Sequence, residues 1–129
     1  MLLLDTDVMI DVLRRFPPAL AWLESHAAEE VILPGFVVLE LLQGCRERVE
    51  QERVERIASR SHIVWPSNEA CNAAVGTYAQ FHRSHNLGFI DALIAHTALL
   101  FDLPLHTFNQ KHYAVVSELR TIQPYTRTG

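Results

Sequence analysis

Cysteine is scarce in this sequence, which limits the roles that thiols can have. The two cysteines, Cys45 and Cys71, stand 26 positions apart and form neither a CxxC pair nor a zinc-binding spacing. The pattern argues against a secreted domain held by disulfides and against a structural zinc site. We expect both thiols to be reduced, as in a cytoplasmic protein.

Basic residues are also few. The chain has 11 Lys and Arg against 15 Asp and Glu, a net charge of −4 at pH 7, and Lys111 is its only lysine. This balance excludes a general nucleic-acid coat, because such a protein needs a basic surface. It leaves room for an enzyme that holds a phosphodiester through metal ions.

Long hydrophobic runs are absent. No stretch approaches the roughly 18 apolar residues of a membrane span. The first residues carry no basic segment and soon reach Asp5 and Asp7, unlike a secretory signal. We therefore expect no membrane association and a cytoplasmic location.

Short apolar runs alternate with longer helical patterns along the 129 residues, which suit one domain over 1–129. Strands are predicted at Leu2–Leu4, Val31–Leu33, His62–Trp65 and Leu103–Thr107, with a short fifth from Ile122. Helices are predicted from Val8 to Arg15, Ala19 to Ala27, Phe36 to Gln43, Glu47 to Arg60, Asn68 to His85 and Ile90 to Phe101. Crossovers of a dozen or more residues favour parallel pairing. The predicted fold is α/β, a three-layer α/β/α sandwich with a four- or five-stranded, mainly parallel sheet.

Three acidic residues stand out against this pattern. Asp5 directly follows the first strand, so its carboxylate is expected at the carboxyl edge of the sheet, where ligands bind in such folds. Glu40 and Asp91 interrupt strongly apolar helical segments without a neighbouring Lys or Arg. Because burying a carboxylate without a partner costs several kcal/mol, each must be protonated, paired or bound to a cation.

A divalent cation reconciles these three acids most simply. Thr107 and Asn109 follow the fourth strand and are expected at the same edge. All of the candidate donors are oxygens, which favours Mg²⁺ or Mn²⁺ over zinc. For each acid taken singly, exposure to solvent or a capping role is an open alternative.

Four segments resemble, in order, the motifs of the PIN-domain family, in particular the VapC-like toxin ribonucleases of bacterial toxin–antitoxin pairs. The resemblance extends over nearly the whole chain. The four segments are Leu2–Asp11 (LLLDTDVMID), Leu39–Gly44 (LELLQG), Asp91–Ala95 (DALIA) and Leu105–Tyr113 (LHTFNQKHY). Each motif alone is weak, but four in the right order in a chain of this length are specific.

The resemblance implies an endoribonuclease that uses Mg²⁺ or Mn²⁺ to activate water against RNA phosphodiesters. Asp5, Glu40 and Asp91 would be its metal-binding and catalytic acids, and Asn109 stands where many members have a fourth acid. Asp7 departs from the usual Ser or Asn, and either supports the metal site or caps the first helix. Thr107 would orient a ligand or a water. The family also implies a cognate antitoxin partner and a homodimer.

Two other functions stay open from the sequence. Asn109 in place of an acid would suit a catalytically weak PIN-like module that binds RNA or a protein without cutting. Asp5-Thr6-Asp7-Val8 after an apolar strand also resembles the nucleophile motif of aspartyl phosphotransferases. That class needs a catalytic lysine, and Lys111 lies far along the chain.

Overall fold

The computed structural model describes residues 1–127, and this part of the chain contains five strands and seven helices. The strands are β1 (Leu2–Leu4), β2 (Val31–Pro34), β3 (His62–Val64), β4 (Leu105–His106) and β5 (Thr121–Ile122). The helices are α1 (Thr6–Leu13), α2 (Pro17–Ser25), α3 (Gly35–Gln43), α4 (Arg48–Ser59), α5 (Asn68–Phe81), α6 (Phe89–Phe101) and α7 (Gln110–Tyr113).

The five strands form one sheet in the order β3-β2-β1-β4-β5, and all four pairings are parallel. This confirms the predicted α/β class and the parallel sheet. The central strand β1 is buried throughout, and Leu3 and Leu4 are 0% exposed. A strand covered on both faces by helices must be apolar at every position, which explains the continuous Leu2–Leu4 run.

The chain changes direction across the sheet next to β1. After β1 it continues to β2 and β3 on one side, and it then returns to β4 and β5 on the other side. Because parallel crossovers are right-handed, α1 to α4 cover one face of the sheet and α5 and α6 cover the other. The carboxyl ends of β1 and β4 therefore border a crevice, the usual ligand position in open α/β sheets.

Several element boundaries differ from the sequence prediction. Helix α2 begins at Pro17 and not at Ala19, because proline suits the first helical turn, where no N–H donor is needed. Helix α5 begins at the predicted Asn68, and its cap is Ser67, whose Oγ accepts a 3.1 Å hydrogen bond from Ala70 N. Helix α5 ends at Phe81, before the predicted His85.

Strand β3 ends at Val64 and not at Trp65, and β4 spans only Leu105–His106 of the predicted Leu103–Thr107. Gly44 ends α3, and Val54 is the buried residue of the otherwise charged helix α4. Cys45 and Cys71 are both free thiols. Within residues 1–127, no helix has both the length and the apolar character that crossing a bilayer requires.

Candidate active site

Asp5 lies at the centre of the crevice, immediately after β1. Only 4% of the residue is exposed, and one carboxylate oxygen accepts a 2.8 Å hydrogen bond from Thr6 N as the N-cap of α1. The other oxygen accepts a 2.9 Å hydrogen bond from Thr107 Oγ1. Burial, reinforced by the neighbouring Asp7 charge, raises the pKa of Asp5 to about 7.

Asp7 faces the same loop from the first turn of α1. Its Oδ2 accepts hydrogen bonds from Phe108 N at 2.9 Å and from Thr107 Oγ1 at 3.3 Å. Burial raises the pKa of Asp7, although hydrogen bonds and the Arg127 charge oppose the shift. Asp7 therefore does not cap α1, because Asp5 holds that position, and its carboxylate ties α1 to the loop after β4.

Glu40 reaches the crevice from α3. The Thr6 hydroxyl donates a 2.6 Å hydrogen bond to Glu40 Oε1, across 34 positions of sequence. Burial raises the pKa of Glu40, and the Asp91 and Asp7 carboxylates raise it further. The carboxylates of Asp91 and Asp7 therefore lie close enough to Glu40 for their charges to act on its pKa.

Asp91 reaches the crevice from the first turn of α6. Its Oδ2 accepts hydrogen bonds from Gly88 N at 3.3 Å and from His112 Nε2 at 3.0 Å. The Tyr113 hydroxyl donates to Asp91 Oδ1 at 3.4 Å and also lies close enough to Asp5 to lower its pKa. Tyr113 thus stands between the carboxylates of Asp5 and Asp91.

The structure therefore brings together four acids, which we call the acid cluster: Asp5, Asp7, Glu40 and Asp91. In residues 1–127, no Lys or Arg side chain forms a salt bridge with any of these carboxylates, and Asp91 pairs with His112. Burial raises the pKa values of Asp5, Asp7 and Glu40, and neighbouring carboxylate charges raise those of Asp5 and Glu40 further. A bound cation would compensate this negative charge.

The donor chemistry of the acid cluster suits a hard divalent cation, since carboxylate oxygens are the ligands that Mg²⁺ and Mn²⁺ prefer. In the described part of the chain, no group of three or more acidic, His or Cys side chains is arranged so that it could hold a metal ion. The carboxylates are instead held by hydrogen bonds to neighbouring donors. Asp5, Glu40 and Asp91 would have to turn toward one another to share an ion.

The two predicted residues after β4 are placed differently from each other. Thr107 is 0% exposed, and its hydroxyl joins Asp5 to Asp7. Asn109 is exposed, and its backbone N donates a 3.0 Å hydrogen bond to Thr107 Oγ1. Within residues 1–127, the Asn109 side chain forms no hydrogen bond with the acid cluster, and its role as a metal ligand stays a prediction.

Sequence reasoning missed three residues that hold the acids in place: Thr6, His112 and Tyr113. Thr6 lies inside the motif that drew attention to Asp5, but its bond to Glu40 depends on the packing of α1 against α3. His112 and Tyr113 lie 21 and 22 positions from Asp91. The only signal for them was their place at the end of the Leu105–Tyr113 segment.

Comparison with known proteins finds a matching family and several similar chains. Residues 2–118 match the family described as the PIN domain. The chain is 34% identical over 122 residues to ribonuclease VapC10 of Mycobacterium tuberculosis, covering 93% of this chain and 91% of that protein. It is also 34% identical over 125 residues to ribonuclease VapC19 of the same organism, covering 93% and 98%.

A solved structure has the same fold. A toxin–antitoxin complex from Klebsiella pneumoniae contains a chain that superposes with a TM-score of 0.75 at 24% identity. The match covers 97% of this chain and 98% of that one. At this identity the likeness establishes the arrangement of the sheet and helices.

Proposed function

Because the chain belongs to the PIN-domain family and to its VapC-like members, we propose that it is a metal-dependent endoribonuclease, the toxin of a toxin–antitoxin pair. The observation that carries the proposal is the acid cluster: four carboxylates, from the end of β1 and from α1, α3 and α6, line the crevice where β1 and β4 end. The relatives VapC10 and VapC19 are named ribonucleases.

Asp5, Glu40 and Asp91 are the proposed metal-binding residues, and Asp7 is the fourth carboxylate of the site. When bound, Mg²⁺ or Mn²⁺ supplies an activated water and offsets the charge that develops on the phosphate. The fit rests on the all-oxygen donors and on the raised pKa values of Asp5, Asp7 and Glu40.

The other side chains of the site keep these carboxylates in place. The Thr107 hydroxyl has one proton to donate and lies 2.9 Å from Asp5 Oδ2 and 3.3 Å from Asp7 Oδ2. The Thr6 hydroxyl donates to Glu40, so the two hydroxyls contact three of the four acids. His112 and Tyr113 hold the two oxygens of Asp91. Partners of this kind fix the direction of ligand lone pairs and are part of a working metal site.

An antitoxin protein is the proposed regulatory partner. A groove of about 570 Å³ runs between α1, α3 and α4, and its apolar lining includes Ile10, Leu13, Leu41 and Val54. Glu40 lines one part of this groove, so a chain lying in it would reach the acid cluster. The Klebsiella chain with the same fold also belongs to a toxin–antitoxin complex.

We also propose a homodimer and a cytoplasmic location. Trp65 and Leu39 are 52% and 48% exposed, and Trp65 packs against Phe36 of α3. Burying such apolar side chains against a second copy would remove them from water. The free thiols of Cys45 and Cys71 suit a reducing compartment.

The test of the ribonuclease is incubation of the purified, partner-free protein with a mixed cellular RNA pool, with Mg²⁺ or with EDTA. Discrete fragments that form only with the metal are expected. Intact RNA in both tubes, from protein that is folded by circular dichroism, would contradict the proposal and favour a module that binds without cutting.

A further inference from the structure

We propose that a cleft beside the acid cluster binds one nucleotide of the RNA substrate and discriminates among bases. The cleft has a volume of about 570 Å³, within the range of sites for small ligands. Its lining includes His85, Phe108, Asn109, Gln110, Lys111 and His112. The inference rests on the proposed function, because it assigns the place of a nucleotide next to the bond that is cut.

The charge of the cleft differs from that of the rest of the chain. None of the described residues that line it is acidic, although the chain has more acids than bases. Lys111, the only lysine, is exposed in α7 and forms no salt bridge within residues 1–127. Its ammonium group is therefore available to a phosphate. A protein with a net negative charge can attract a phosphate only through such a local positive charge.

His112 connects the cleft to the acid cluster. Its ring lines the cleft, while its Nε2 lies 3.0 Å from Asp91 Oδ2. The side chains of both residues are 30% exposed, so RNA can reach them from solvent. A nucleotide in the cleft is thus separated from the acids by one imidazole ring, and the next phosphate of the strand would lie at the acid cluster.

Asn109 provides the means to discriminate among bases. Its backbone is fixed by the hydrogen bond to Thr107, and within residues 1–127 its side-chain amide has no hydrogen-bond partner. An amide offers a donor and an acceptor side by side, the pattern that reads a base edge. Single-stranded RNA exposes such edges to proteins.

Phe108 gives the cleft an apolar wall. The Arg127 guanidinium lies over its ring, 3.9 Å from the centroid, and Tyr125 packs against it edge to face. These contacts hold the ring, so a base would meet a surface that is already ordered. Ordering before binding lowers the entropic cost of association.

The test is binding of fluorescent single-stranded hexanucleotides in EDTA, measured by anisotropy at several salt concentrations. Lys111→Gln is compared with Arg120→Gln, which loses the same charge. Arg120 pairs with Asp102 at the opposite edge of the sheet, where β4 and β5 begin. Loss of one phosphate contact weakens binding about fivefold near 0.1 M salt. It also lowers the slope of log K against log salt concentration by about 0.7 in magnitude.

Lys111→Gln is expected to show this loss, and Arg120→Gln is expected to bind as the unmodified protein does. The hexanucleotides include one homopolymer of each of the four bases. Asn109→Ala is expected to reduce the differences in affinity among these four. The inference is overturned if Lys111→Gln and Arg120→Gln bind alike, or if the unmodified protein binds no RNA. Binding of an acidic peptide in place of RNA would also overturn it.

The binding experiment is independent of cleavage. RNA that binds through Lys111 but stays intact with Mg²⁺ would support the cleft and defeat the proposed function. Cleavage with Mg²⁺ that comes with no effect of Lys111→Gln on the Kd or KM for RNA would support the proposed function and defeat the cleft. Amide chemical shifts at residues 109–112, followed by NMR as RNA is added, locate the contact directly.

Discussion

The Thr107 hydroxyl donates a 2.9 Å hydrogen bond to Asp5 Oδ2 and so joins the ends of β1 and β4 across 102 positions of sequence. The same hydroxyl oxygen accepts from Asn109 N, which fixes the loop that leaves β4. One buried side chain thus couples the central acid of the proposed site to the loop that borders it.

Thr107→Val removes this hydroxyl while nearly keeping the shape of the side chain. We expect a loss of about 1–3 kcal/mol in the free energy of unfolding, because Asp5 and Asn109 N lose a buried partner. Urea denaturation measures the loss. Thr107→Ser keeps the hydroxyl and is expected to lose clearly less, so equal losses in the two variants would refute this role.

Asp5 predicts a pH dependence of stability in the metal-free protein. The pKa of Asp5 is about 7 in the folded chain, whereas the ordinary value is 3.8. Between pH 3.8 and pH 7 the folded state therefore holds a proton that the unfolded state has released. The Asp5 contribution to the free energy of unfolding therefore falls as pH rises from about 4 to 7.

Asp5→Asn is expected to remove that slope and to stabilise the protein at pH 7 by at most about 4 kcal/mol. Denaturation in EDTA at a series of pH values compares the variant with the unmodified chain. If the difference in free energy of unfolding between the two proteins does not grow with pH, the Asp5 carboxyl does not have a raised pKa.

His112→Ala tests how Asp91 is positioned. The imidazole is one of three donors to this carboxylate, and loss of such a partner typically weakens metal binding about 10- to 100-fold. Mn²⁺ titration followed by EPR measures the affinity. His82→Ala is the control, since His82 is exposed and stacks on Tyr78, and equal affinities in the two variants would count against the proposed role.

Gly35 begins α3, the helix that carries Glu40. A Cβ at this position would overlap the Trp65 indole, so Gly35→Ala is expected to cost about 1–3 kcal/mol in stability. Gly76 in α5 has open space around it, and Gly76→Ala is expected to gain about 0.5–1 kcal/mol. Thermal or urea unfolding measures the stability of both variants. Similar changes in the free energy of unfolding would show that the Trp65 side chain moves aside at little cost.

The sequence predicted the frame because its signals are local. The apolar runs at Leu2–Leu4 and Val31–Leu33 stop at Asp5 and Pro34, and the structure ends β1 and β2 at Leu4 and Pro34. The exposure of Asn109, by contrast, depends on how the loop after β4 leaves the sheet, which no local pattern encodes.

The partners of the acids were beyond sequence reasoning for the same physical reason. Glu40 appeared to lack a partner because Thr6 is 34 positions away, and Asp91 because His112 is 21 positions away. Asp7 offered two interpretations from the sequence, and the structure excludes the helix cap because Asp5 is the N-cap of α1. Packing of elements distant in sequence brings these atoms together.

The most direct test of the acid cluster as a catalytic centre is the RNA cleavage rate of Asp5→Asn with Mg²⁺, beside the unmodified protein and Asp102→Asn. Asp102 carries the same charge but is exposed at the far edge of the sheet. Asp5→Asn is expected to fold and to cleave at least about 100-fold more slowly, while Asp102→Asn keeps the full rate. Cleavage by Asp5→Asn at the rate of Asp102→Asn would contradict the account.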